Sequence, residues 1–140
     1  MANVLVAEDD SEMRRLVVEA LRRDGHDVTE APDGGWLFVR LAEAFHHDPQ
    51  FTELDCIVSD VRMPTCGGLE LLERLVDICE LVPVILMTAF GDDELRVRAG
   101  TLGATLIEKP LSLESLRNAV WQLAGTRPRT QLVRNNANGR

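Results

Sequence analysis

Four widely separated stretches of this sequence hold residues that could do chemistry together: Glu8-Asp9-Asp10, Asp60, Thr88 and Lys109. Carboxylates gathered in one place repel one another unless something compensates them. A hard divalent cation does so, and Mg2+ or Mn2+ takes one or two carboxylates while keeping waters and phosphate oxygens. One of the carboxylates can then attack a phosphoryl group as a nucleophile. Phosphoryl transfer asks mainly for positioning and charge neutralisation. A lysine ammonium and a threonine hydroxyl serve those needs, one as a charge and the other as a hydrogen-bond donor.

Each residue alone has an ordinary reading. Acids after a strand often cap the next helix, and Asp10 is expected to do so. An aspartate at a strand end is commonly a turn residue, a β-branched threonine fits a strand for its shape, and most lysines are solvated. The argument for chemistry therefore depends on the elements that would bring these residues together.

Val4-Leu5-Val6-Ala7 is a short all-apolar run, as in a parallel strand buried on both faces. Met13, Leu16, Val17, Ala20 and Leu21 then follow helical spacing, with Ser11 placed to cap and Asp24-Gly25 to stop the helix. His26 to Ala31 reads as a second strand and Asp33 to Phe45 as a second helix, followed by a polar loop over His46 to Thr52. Leu54 to Asp60 is the third strand. A Pro-Thr-Cys-Gly-Gly turn leads to a helix carrying Leu69, Leu72, Leu75 and Val76. Val84 to Thr88 is the fourth strand, Asp92 to about Gly100 the fourth helix and Ala104 to Glu108 the fifth strand. The fifth helix begins near Ser112, with Leu113, Leu116, Val120 and Leu123 inward. Residues 125–140 have no apolar period and are expected to be a basic tail or linker remnant.

Five strands alternating with five helices predict an α/β fold of three layers around a parallel sheet. Right-handed crossovers suggest the order 2-1-3-4-5. All carboxyl ends of the strands then lie at one edge, where ligands bind in such folds. Glu8, Asp9 and Asp10 follow the first strand, Asp60 ends the third, Thr88 ends the fourth and Lys109 follows the fifth. Their convergence on one edge is a far more specific signal than any of them singly.

In that order and spacing, VLVAEDDSEMRRLV, IVSDVRMPTCGGLELLERL, VILMTAFGDDE and LGATLIEKPLS resemble the receiver domains of two-component response regulators. The resemblance covers about residues 3–124 and sets residues 1–124 as one receiver domain. It implies a flavodoxin-like (βα)5 fold and phosphorylation of Asp60 by a histidine kinase or a phosphotransfer protein. It further implies that Asp9, Asp60 and the Arg62 backbone carbonyl ligate the metal, with Glu8 acting through a metal-bound water. Thr88 matches the switch hydroxyl and Lys109 the phosphate-binding lysine, and Lys109-Pro110 matches a peptide bond that the family usually holds cis. The chain departs from the family at Leu106, where an aromatic switch residue is common, and it contains no tyrosine. Arg62 and Phe90, each two residues beyond a site residue, flank the site and are expected to influence hydrolysis of the acyl phosphate.

Composition narrows the alternatives. The net charge is −8, and the only charged residues of 125–140 are four arginines, so the body is more acidic than the total. Such a body repels a nucleic-acid backbone, and direct DNA binding by the folded part is not expected. No apolar stretch approaches the roughly 18 residues of a membrane span, and the N-terminus lacks a basic signal-like region. Three cysteines without a CxxC pair suit a reduced, cytoplasmic setting.

A regulatory phosphoacceptor, not an enzyme, is the expected role, with output through protein contacts. A phosphatase or phosphotransferase of the haloacid-dehalogenase type resembles D-x-D after a strand, whereas Asp60 is followed at that spacing by Arg62. A flavodoxin would meet its flavin phosphate with three acids after the first strand. Trp121 lies off the apolar stripe of the last helix, which suggests docking or a homodimer on the fourth helix, fifth strand and fifth helix. His26, His46 and His47 read as loop or surface residues.

Overall fold

The computed structural model describes residues 2–45, 52–109 and 112–126. Their elements are β1 (Asn3–Ala7), α1 (Ser11–Arg23), β2 (Asp27–Ala31), α2 (Gly34–Phe45), β3 (Cys56–Asp60), α3 (Gly68–Arg74), α4 (Val76–Leu81), β4 (Val84–Thr88), α5 (Asp93–Thr101), β5 (Thr105–Glu108) and α6 (Leu113–Thr126). His46, His47, Pro110 and the tail from residue 127 onward lie outside the described residues.

The strands form one parallel five-stranded sheet in the order β2-β1-β3-β4-β5. Strand alternation divides the core between its faces. Leu5, Ala7, Ile57, Val84 and Leu86 meet Leu37, Leu41, Leu69, Leu72 and Leu95 from α2, α3 and α5. Val4, Val6, Cys56, Val58, Ile85 and Met87 meet Val17, Val18, Leu21, Leu116 and Val120 from α1 and α6. The flavodoxin-like fold expected from the sequence is thus present. β3 and β4 are buried along their whole length, as expected of central strands covered on both sides.

Several local readings change. Asp10 caps α1 as expected and Ser11 does not, the Asp10 carboxylate accepting from the backbone N–H groups of Glu12 at 3.0 Å and Met13 at 3.1 Å. The buried arc of α1 is centred on Val17 and Leu21, so Val18 is inside and Leu16 outside. The third predicted helix is two helices, because Leu75 leaves helical geometry at φ −121° and ψ 48°. Cys79 Sγ donates to the Leu72 carbonyl near this break, and Val76 is exposed. The fourth and fifth predicted helices are therefore α5 and α6, and α6 continues to Thr126, two residues beyond the expected domain end. Burial pushes the Cys79 thiol up to about 11, and all three cysteines are free, which fits inert thiols.

His26 is a clear correction. It is not at the surface but buried, 4.8 Å from the Trp121 ring centre at a tilt of 55°. Trp121 is consequently half-covered from within the molecule, and it faces the α1–β2 connection. Beside this pair, Arg117 grips Asp24 with bonds of 2.6 and 2.9 Å, tying α6 to the end of α1.

Neither His26 ring nitrogen has a hydrogen-bond partner among the described residues. Burial, helped by the charge of the N-terminus and opposed by Asp24 and Asp55, holds the imidazole below its ordinary value of 6.5. The unfolded chain therefore binds a proton near pH 6.5 that the folded chain refuses. Stability is full above that pH and declines as pH falls through it. An unpaired buried polar group costs roughly 1–3 kcal/mol, so His26→Phe is expected to stabilise by about 1 kcal/mol and to flatten this decline. Urea unfolding at pH 7 and pH 5 measures both effects.

Candidate phosphoacceptor site

The sheet register brings the chemistry-bearing residues together. Ala7 stands opposite Ser59, so Glu8 and Asp60 each lie one step further along neighbouring strands. Asp60 stands opposite Met87, which puts Thr88 one step beyond it on β4, and Thr88 stands opposite Glu108, the residue before Lys109. This is the edge where strand order reverses between β1 and β3, the place such folds use for ligands.

Carboxylate oxygens of Glu8, Asp9 and Asp60 all lie within 4.8 Å of one another. Glu8 is fully buried, Asp60 is buried and Asp9 is exposed. Lys109 Nζ donates to Glu8 Oε1 at 2.7 Å and to Asp60 Oδ2 at 3.3 Å. The Asp10 N–H donates to the other Glu8 oxygen at 3.1 Å. Burial, with the Asp60 charge beside it, holds the Glu8 carboxyl above the usual range although Lys109 and the Asp10 N–H pull it down. Burial depresses the Lys109 ammonium, but the bond to Glu8 and the charges of Asp60 and Glu8 outweigh it and hold it above its ordinary value. The donor set is all hard oxygen, which suits Mg2+ or Mn2+ and not a softer metal.

Thr88 is buried, its hydroxyl oxygen accepting from the Phe90 N–H at 3.1 Å, and its carbonyl accepts the Lys109 N–H at 2.6 Å. Arg62 has an exposed side chain in the turn after Asp60. Phe90 is 73% exposed at the rim. The fold thus gathers Glu8, Asp9, Asp60, Thr88 and Lys109 at one edge, while Arg62 and Phe90 border it.

Two features were not anticipated from sequence. Glu8 is the nearest partner of Lys109, a pairing across 101 residues for which no local pattern exists. The turn after Asp60 is also tightly packed: a Cβ on Gly68 would overlap the Ser59 hydroxyl and the Asp60 carbonyl, and one on Gly34 would overlap the Cys66 carbonyl. The Gly34-Gly35 and Gly67-Gly68 doublets are the trace of this close packing in the sequence.

Within that turn Thr65 has φ 75°, a left-handed conformation that a β-branched residue adopts only under strain. Thr65→Gly relieves it and is expected to stabilise the fold by about 1 kcal/mol, less glycine's extra unfolded-state entropy. Thermal unfolding checks the sign.

Residues 4–121 match the family described as the response regulator receiver domain. The response regulator receiver protein CpdR of Brucella abortus is 31% identical, covering 86% of this chain and 94% of that protein. Sporulation initiation phosphotransferase F of Bacillus subtilis is 29% identical, covering 84% and 89%. The transcriptional regulatory protein PdtaR of Mycobacterium tuberculosis is 32% identical over 84% of this chain, which spans only 54% of that longer relative. Among solved structures, the receiver domain of Francisella response regulator 1452 superposes with a TM-score of 0.76 at 27% identity, covering 89% and 98% of the two chains. The receiver domain of the hybrid histidine kinase CckA does so with 0.69 at 26%, covering 88% and 99%. Receiver domains are regulatory phosphoacceptors of two-component systems, and this chain belongs to their family.

Proposed function

We propose that Asp60 is the residue of this receiver that accepts the phosphoryl group. The observation that carries the reading is the meeting of Glu8, Asp9 and Asp60 oxygens within 4.8 Å, with Lys109 Nζ bonded to two of those residues. In the reaction an Asp60 carboxylate oxygen forms the new bond to phosphorus. The bond to the donor, a histidine nitrogen of a kinase or phosphotransfer protein, breaks as the leaving group departs.

Asp9, Asp60 and the Arg62 backbone carbonyl would hold Mg2+ or Mn2+, with Glu8 contributing through water. The bound ion supplies charge neutralisation to the phosphoryl oxygens. Lys109 neutralises a second side of the group, and to do so it shifts from its bond with Glu8. The Thr88 hydroxyl donates to a third oxygen. Arg62 and Phe90 flank the site, where they influence attack of water on the acyl phosphate, and slow autophosphorylation and autodephosphorylation are the most turnover expected. A phosphatase would need a general acid two residues after the nucleophile, where this chain has exposed Arg62.

The added charge of about −1.5 to −2 biases two conformations of the domain and reshapes a protein-contact surface. That surface is the face of α5, β5 and α6, where Val97 is 67% exposed, and a homodimer is one occupant. A histidine kinase as donor places the chain in the cytoplasm. Among the described residues no helix is long and apolar enough to cross a membrane. The body, which runs to the end of α6 at Thr126, is the switch.

Incubation with acetyl phosphate and Mg2+, followed by intact mass and peptide mapping, tests the reading. One phosphoryl adduct on Asp60, lost when EDTA is present, is expected. An adduct on another residue, or none, overturns it. Size-exclusion chromatography of the adduct tests the dimer.

A further inference from the structure

The aromatic side chain that commonly couples a receiver's switch hydroxyl to its surface is missing: position 106 is a leucine, paired with Leu86 in the sheet and packed on the core. The turn after β4 touches a different group. Gly91 lies so close to the Glu108 carboxylate that a Cβ there would overlap Oε1. The same Oε1 accepts from Arg96 Nη2 at 3.0 Å, and Arg96 also holds Asp93 at 3.2 Å. Arg96 and Asp93 both belong to α5, whose first turn is capped by Asp92, one residue after Gly91. Glu108 stands opposite Thr88 in the register of β4 and β5.

We propose that this receiver passes its phosphorylation state to α5 through a Gly91–Glu108–Arg96 relay. The inference rests on Asp60 being the phosphoacceptor. The Thr88 oxygen now accepts from the Phe90 N–H. Drawing the hydroxyl toward a phosphoryl group on Asp60 lengthens that bond, and the Thr88–Gly91 turn follows. Gly91 then withdraws from the Glu108 carboxylate or presses on it. The carboxylate, held among the described residues by Arg96 and this contact, changes position and takes the first turn of α5 with it. An ion pair of two half-exposed side chains is weak, which suits a contact that must make and break at each cycle.

Hydrogen exchange over 93–101, with and without beryllofluoride and Mg2+, tests the relay in wild type, Glu108→Gln, Arg96→Gln and Gly91→Ala. In Gly91→Ala the new methyl forces the carboxylate aside without removing a charge. The 19F signal of bound beryllofluoride reports separately that Asp60 is occupied. Wild type is expected to change its exchange over α5, and that change to shrink about threefold in each variant while the adduct is kept. An undiminished response in Glu108→Gln and Arg96→Gln, or no α5 response in adduct-bearing wild type, overturns the relay alone. Absence of the 19F signal in wild type overturns the phosphoacceptor reading itself, and the relay with it.

Discussion

Asp60→Asn is expected to take up no phosphoryl group from acetyl phosphate at any Mg2+ concentration, while the protein remains folded and gains stability. The amide keeps the shape of the carboxylate but has no anionic oxygen to form the bond to phosphorus. Stability rises because the Asp60 charge is one of the reasons the Glu8 carboxyl is held above its usual range. Removing a like charge beside a buried carboxylate relieves that repulsion. Lys109 retains its shorter bond, to Glu8, and so is not orphaned. Removing one of the three clustered carboxylate charges is expected to weaken Mg2+ binding by roughly tenfold. Intact mass, Mg2+ titration and thermal unfolding read the three effects separately. Full uptake by Asp60→Asn would place the acceptor elsewhere.

Lys109→Ala should move two measurements in opposite directions. The ammonium lies 2.7 Å from Glu8 and 3.3 Å from Asp60, so it competes with any cation for the same carboxylates. Without it Mg2+ is expected to bind several-fold more tightly, by the Coulomb term alone. Phosphorylation nonetheless falls by about 100-fold or more, the scale on which losing one preorganised charge-stabilising group costs rate. Glu8, fully buried, loses its strongest partner, and its carboxyl rises further. Protonation then limits the penalty of a broken buried pair, which otherwise reaches about 3–5 kcal/mol. Tighter metal with slower uptake, measured by Mg2+ titration and initial rates of mass gain, separates this role from simple unfolding. Weakened metal binding would mean that Lys109 organises the pocket and does not compete within it.

The sheet and the site were legible because they are written in types that have few other uses together. Val84 to Thr88 was located to the residue, as an apolar run after a proline and before Ala89-Phe90-Gly91. Asp60, Thr88 and Lys109 each sit at a strand end, and a parallel sheet leaves no choice about which edge those ends share. What was not legible depends on packing in three dimensions. Leu16 fits the helical stripe of α1, yet the wedge between sheet and α6 admits Val18 instead. His26 is polar and follows a glycine, the signature of a loop, and the ring it packs against, Trp121, comes from the far end of the chain. The break at Leu75 has no proline or glycine to announce it. The strand ends put Glu8 and Lys109 at one edge, but no local pattern in either neighbourhood says that the two bond directly.

That last pairing has a consequence for synthesis. Glu8 leaves the ribosome about a hundred residues before the lysine that balances it, and β1 cannot be flanked on both sides until β3 has followed. A nascent chain ending at β4 carries every acid of the pocket and none of its countercharge. Unfinished copies are therefore expected to take up phosphate far more slowly than the whole domain, until Lys109 has left the ribosome and joined Glu8.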